Sequence, residues 1–212
     1  VTTAQSDAPR RKRLTAYQRE QQILDVAENL FAERGLEGVT LEDIAKAAGV
    51  TRPIIYQYHG SREGVFLACA RRARTELDEA VRISLQKAGP ELTERIEAGG
   101  SPYFDLIKRS PQRWALVFSA SAGLNAEVAT ELALLKTRTT DRIATAVRET
   151  APALGVEQAH ALAYAISGIS EQLGRWWFQN PRVPRKRVLE YYRTFVLGAA
   201  TAALAAFAPE PG

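Results

Sequence analysis

Apolar residues recur at helical spacing along almost the whole chain, and no stretch sustains the period-two alternation of a half-buried strand. That pattern leaves little or no room for a sheet and predicts an all-α protein. Ile23, Leu24, Ala27, Leu30 and Phe31 form the stripe of a first amphipathic helix, which Gly35 caps. Thr40 and Asp43 stand at capping-box spacing and open a second helix, Leu41–Ala48, which Gly49 stops. Thr51 is placed to cap a short third helix. Pro53 is tolerated in its first turn, and Gly60 ends it near Tyr58 or His59. Ser61 begins a long fourth helix over 61–87, with Phe66, Ala70, Ala73, Leu77 and Val81 on its inward side. Gly89-Pro90 and then Gly99-Gly100-Ser101-Pro102 punctuate the chain, so the expectation is separate short helices over 91–98, 103–108 and 112–121. Longer helices are predicted over 126–149, 157–179 and 185–207.

Composition excludes several classes of function. Of 212 residues, 46% are hydrophobic and 25% charged, an ordinary globular balance. A single cysteine, Cys69, rules out an internal disulfide and any zinc site built on two or more cysteines, and two histidines, His59 and His160, rule out a His-rich metal site. No cofactor or metal is expected. The net charge of +4 is uninformative in bulk, because residues 1–87 and 88–212 each carry 14 Lys and Arg against 12 Asp and Glu. Locally it is concentrated in Arg10, Arg11, Lys12 and Arg13, so residues 1–13 read as a mobile basic arm. No apolar core follows that arm as in a signal peptide, and the most apolar stretch, 195–208, is shorter than the roughly 20 residues of a membrane span. The expectation is a cytoplasmic protein with no membrane partner. The lack of methionine, with Val1 first, suggests a trimmed terminus or an unusual start.

The segment from Leu41 to Tyr58 carries the chemistry. Two helices of about eight residues meet at Gly49, with Ala45 allowing close approach and Ile44, Ala48, Val50 and Ile55 filling the wedge. This is the spacing of a helix-turn-helix, whose second helix enters the DNA major groove. An ordinary corner of a helical bundle is the competing explanation. The side chains favour DNA. Thr51 and Arg52 sit at the N-terminal end of the third helix, and an arginine there can bond bidentately to guanine. Tyr56, Gln57 and Tyr58 add hydroxyls and an amide suited to phosphate or base contacts.

These residues resemble the TetR family of bacterial transcriptional regulators. The resemblance runs through 21–35, Thr40-Leu41-Glu42-Asp43-Ile44-Ala45, Ala48-Gly49-Val50, Ile54-Ile55-Tyr56-Gln57-Tyr58 and Gly60-Ser61-Arg62-Glu63-Gly64-Val65-Phe66. It implies that Thr40, Tyr56 and Arg62 hold phosphates, and that Thr51, Arg52 and Ile54 face base edges or a thymine methyl. Tyr58 stands where the family commonly has histidine, and His59 where a core phenylalanine is usual. His59 is therefore read as a half-buried structural histidine. In this context the basic arm, Arg10 to Arg13, gains a role in holding phosphates or entering a minor groove.

The resemblance further implies a homodimer on a palindromic operator, with an effector pocket in a larger C-terminal domain. The boundaries expected are 1–13 for the arm, 14–60 for the helix-turn-helix domain and 61–208 for effector binding and dimerisation. Candidate dimer residues are Ile166, Ile169 and Leu173 on one late helix and Tyr191, Phe195 and Leu197 on the next, with Gly168, Gly174, Gly198 and Ala202 permitting close approach. Candidate ligand-binding residues are the aromatics Tyr103, Phe104, Trp114, Phe118 and Trp177, with Trp176 or Phe178 as further candidates. The function expected is a repressor released from DNA by a small, largely apolar ligand. An activator of the same family and a nonspecific architectural DNA-binding protein remain alternatives. An enzyme using Cys69 as nucleophile is disfavoured, because no phosphate loop, nucleophile elbow or metal spacing accompanies it.

Overall fold

The computed structural model describes residues 14–115, 118 and 125–207. They form α1 (Ala16–Arg34), α2 (Leu41–Ala48), α3 (Arg52–His59), α4 (Arg62–Lys87), α5 (Leu92–Arg109), α6 (Pro111–Trp114), α7 (Ala126–Thr150), α8 (Val156–Gln179) and α9 (Arg185–Phe207), with no strand among the described residues. Arg10, Arg11, Lys12 and Arg13 lie outside them.

Local signals set most boundaries. α1 begins at Ala16, ahead of the expected start, because Thr15 and Gln18 form a reciprocal capping box: Thr15 Oγ1 accepts from Gln18 N at 3.1 Å, and Gln18 Oε1 accepts from Thr15 N at 3.0 Å. α2 opens on the same device, with Asp43 N donating to Thr40 Oγ1 at 3.1 Å and Thr40 N to Asp43 Oδ2 at 2.9 Å. Gly49 closes α2 in the left-handed region (φ 62°, ψ 35°), which turns the chain sharply into α3. Ser61 Oγ accepts from Gly64 N at 3.0 Å and starts α4. Thr51 flanks α3 but makes no side-chain capping bond.

One expectation fails. The predicted break at Gly99-Gly100-Ser101-Pro102 does not occur, and α5 runs continuously through Pro102. Proline deprives the helix of one backbone bond. Against that, Ile96, Tyr103, Phe104 and Ile107 share a buried face that only an unbroken helix presents to α8 and α9. Packing overrides the punctuation. Gly100 faces Tyr192 of α9 so closely that an added Cβ would come within 2.1 Å of the buried ring. Gly100→Ala is therefore expected to destabilise the fold by about 1–3 kcal/mol in denaturant unfolding, despite alanine's better helix propensity.

The helices enclose two main cores. Ile23, Phe31, Val39, Ile44, Ile55 and Phe66 centre the first, which α1–α3 and the early turns of α4 share. Phe104, Trp114, Trp177, Val188, Tyr192 and Val196 centre the second, between α5, α6, α8 and α9. Among the described residues, no helix is long and apolar enough to cross a membrane, and no cluster of three or more potential metal ligands occurs.

Candidate nucleic-acid interface and ligand cavity

Burial of Ile55 orients α3. Its side chain is fully enclosed, which turns Thr51, Arg52, Tyr56 and Gln57 to solvent. Tyr56 is 64% exposed, which leaves its hydroxyl open to a partner from outside. Arg52 bridges to Glu42 of α2 at 2.8 Å, with both side chains exposed. Such a surface pair is worth only about 0–1 kcal/mol, so the guanidinium remains free to exchange partners.

Four residues expected at DNA are engaged within the protein itself. Ile54 is half-buried and packs on the first core. Tyr58 lies on the same side as Ile55, because a spacing of three residues keeps it on that face. Its ring packs against the core, and its hydroxyl donates to the Ala16 carbonyl at 3.3 Å. The Thr40 hydroxyl is engaged by Asp43, donating to Oδ2 at 2.7 Å and accepting from the backbone N–H. Hydrogen bonds from the Thr40 hydroxyl and the Thr40 backbone N–H hold the Asp43 carboxyl below its usual range and keep it ionised. Arg62 is also engaged, bridging Glu63 at 2.8 Å and Glu37 at 3.1 Å. A phosphate would have to draw it away from two carboxylates.

His59 is half-buried, and its buried Nε2 has no hydrogen-bond partner. Burial pushes its pKa below the ordinary 6.5, with Glu20 pulling the other way. The unfolded chain therefore takes up the proton first as pH falls. The stability associated with the neutral ring is complete above pH 6.5 and is lost as pH falls toward the lower folded value. His59→Phe should lessen the decline in thermal midpoint between pH 7 and 5; an unchanged slope would exclude His59 as its source.

A partly buried ion-pair cluster ties α1 to α4 and α6. Glu28 of α1 forms ion pairs with Arg72 of α4 at 2.8 Å and with Arg113 of α6 at 3.0 Å. Arg72 also reaches Asp25 at 2.7 Å, and Arg113 reaches Glu76 at 2.8 Å. Burial pushes the Glu28 carboxyl up, while the two arginines pull it down. Cys69 lies buried nearby, and burial likewise pushes its thiol up, away from the thiolate a nucleophile needs.

A cavity of about 410 Å³ opens between α4, α5, α7, α8 and α9. Leu77, Val81, Tyr103, Phe118, Ile143 and Ile166 contribute to a largely apolar wall. Of the five aromatics expected at a ligand, Tyr103 and Phe118 line it. Phe104, Trp114 and Trp177 belong to the second core and do not. Arg74 also lines the cavity and was not anticipated. The signal was present: a cation on the apolar stripe of α4, four residues after Ala70 and three before Leu77.

The outer faces of α8 and α9 present Trp176, Tyr191 and Phe195 to solvent. Trp176 meets Tyr191 edge to face at 6.1 Å, and Tyr191 stacks on Phe195 at 6.2 Å and 11°. Gly168 and Gly198 are exposed, with nothing within 4 Å of an added Cβ. Ile166, Ile169, Leu173 and Leu197 are half-buried and pack inward on the protein's own second core instead. Gly174 is buried against Tyr103 and Ile107.

Comparison with known proteins agrees with this geometry. The family model described as "Bacterial regulatory proteins, tetR family" matches residues 23–69, which span most of α1 through the early turns of α4. The chain is 27% identical over 173 residues to the HTH-type transcriptional activator FasR of Mycolicibacterium smegmatis, covering 82% of this chain and 78% of that one. It is 30% identical over 145 residues to the HTH-type transcriptional regulator AlkX of Mycobacterium tuberculosis, covering 68% and 69%. The fold is shared with the regulator FadR of Bacillus subtilis in complex with stearoyl-CoA, at a TM-score of 0.70 and 16% identity over 85% of this chain and 97% of that one.

Proposed function

The chain belongs to the TetR family of bacterial transcriptional regulators, and on that premise we propose that this helix-turn-helix, DNA-binding regulator is a homodimeric repressor released from a palindromic operator by a small, largely apolar ligand. Residues 14–60 read DNA, and residues 61–208 bind the effector and dimerise. The observation that carries this reading is the juxtaposition of an exposed polar α3 face with a separate apolar cavity, the two joined by α4.

In this reading Arg52 contacts a guanine, Thr51, Gln57 and Tyr56 contact neighbouring bases or phosphates, and the free N–H groups at the start of α2 meet the backbone. Arg52→Ala should cost about 1–3 kcal/mol at the preferred site and leave binding to scrambled DNA almost unchanged, as measured by fluorescence anisotropy. Trp176, Tyr191 and Phe195 form the dimer face with Gly168 and Gly198, and the dimer sets the two α3 helices about 34–36 Å apart. A ligand that favours a different spacing weakens operator binding, and by reciprocity operator DNA weakens ligand binding by the same factor. The Glu28 cluster carries the change, because it joins α1 directly to α6 and α4, whose neighbouring residues line the cavity.

The test uses full-length protein on its promoter fragment, with 1-decanol as an apolar probe. Operator affinity should fall on adding 1-decanol, and operator DNA should reduce 1-decanol affinity equally. Binding of 1-decanol with no effect on the operator would contradict the proposal. The similarity to FasR, an activator by name, favours a second reading in which the sign is reversed. A promoter-fused reporter separates the two, since deletion of the regulator raises expression for a repressor and lowers it for an activator.

A further inference from the structure

Arg74 of α4 is about nine-tenths buried at the cavity wall. Its Nε has no hydrogen-bond partner, and among the described residues its guanidinium makes no hydrogen bond or ion pair. Its Cζ lies 4.6 Å from the centroid of Phe118, which also lines the cavity. The other cations along the wall are satisfied differently. Lys136 is paired with Glu171 at 2.9 Å, Arg142 with Asp78, and Arg95 donates to Thr150 Oγ1 at 2.9 Å. Arg82 is held by Glu79, a residue of its own helix.

This arrangement is physically costly for the protein on its own. A guanidinium stays protonated at ordinary pH, and a buried charge without a bonded partner is strongly disfavoured. Burial pushes the Arg74 pKa down, and the nearby carboxylates Glu171 and Asp78, which counter that effect, already hold other cations. Stacking on Phe118 orients the planar fork but supplies no acceptor. The Tyr103 ring also lines the cavity, but its hydroxyl is enclosed against Gly174. One unanswered guanidinium therefore borders a space that is otherwise largely apolar. Its natural complement is an anion carried on a hydrocarbon chain.

We propose that Arg74, stacked on Phe118, anchors the carboxylate of an elongated alkyl acid whose chain lies along the apolar wall of the cavity. This deepens the reading of the cavity as the effector site and rests on it. The carboxylate takes both arms of the guanidinium fork, which fixes which end of the ligand meets α4. It neutralises a buried charge that the described residues leave without a bonded partner.

The test is calorimetric titration of full-length protein with decanoate, 1-decanol and decylamine, each below its aggregation concentration. Decanoate should bind about 10–100-fold more tightly than 1-decanol, with decylamine the weakest. Arg74→Met should remove the advantage of decanoate while leaving 1-decanol unchanged. Arg74→Lys should retain part of it, since a lysine keeps the charge but loses the fork. Equal affinity for decanoate and 1-decanol in the unsubstituted protein overturns the anchor, leaves the cavity as a ligand site, and needs no variant. Failure of every alkyl probe to bind overturns the effector site and the anchor with it. Tight binding of decanoyl-CoA that does not depend on Arg74, with no binding of decanoate, also overturns the anchor.

Discussion

Gly198→Glu combined with Phe195→Glu is expected to leave each protomer folded, convert the protein to a monomer and weaken operator binding by about 10²–10⁴-fold. Neither site belongs to the protomer's buried cores. Phe195 is half exposed, and a Cβ on Gly198 meets nothing within 4 Å. Glutamate is also a better helix former than glycine. Across a symmetric interface each substitution faces its own copy or a close neighbour, so carboxylates would meet in what should be an apolar contact. The loss in DNA affinity follows from linkage of two reading heads. Once one half-site is bound, the second binds intramolecularly, and that advantage is lost with the dimer. Sedimentation velocity and anisotropy on the same samples check it. A monomer that keeps full operator affinity would separate dimerisation from DNA reading, and a dimer unaffected by both changes would place the interface elsewhere.

The second large effect is expected at Glu28. Glu28→Gln keeps the shape of the side chain but removes the one charge that Arg72 and Arg113 share. Breaking a buried ion pair by deleting one partner typically costs about 3–5 kcal/mol. The cost here should fall at the low end, because Arg72 retains Asp25 and Arg113 retains Glu76. Denaturant unfolding measures that part. The functional effect should be more specific. With the link between α1 and α6 weakened, DNA binding and ligand binding should each persist, while the factor by which one reduces the other shrinks toward one. A variant that is destabilised yet fully responsive would show that the cluster only holds the fold.

Legibility of these features in the sequence followed the range of the interaction that fixes them. Thr40 with Asp43, Gly35, Gly49, Gly60 and Ser61 act within a few residues of themselves, and each stands where its spacing placed it. Pro102 does not interrupt α5, because its effect is set by α8 and α9, more than fifty residues away. The outward turn of Arg52, Tyr56 and Gln57 was readable from the helix period around Ile55, but the same period carries Tyr58 back to the core. On α8 and α9 apolar residues occur on two sides. Spacing alone cannot tell the side that meets the protein's own core, with Ile166, Ile169 and Leu173, from the side left exposed, with Trp176 and Phe195. The cavity was least legible, since five helices each contribute a few residues to it. An aromatic cluster in the sequence therefore mixed lining residues such as Phe118 with plain core such as Trp114.

The most direct measurement is titration of the purified full-length protein against its own promoter DNA and a scrambled competitor of equal length, at several salt concentrations. The expected result is promoter binding tighter by about 10³-fold or more at physiological salt, with both affinities falling as salt rises. Equal affinity for the two sequences at every salt concentration would contradict a sequence-specific regulator and leave only a nonspecific DNA-binding protein.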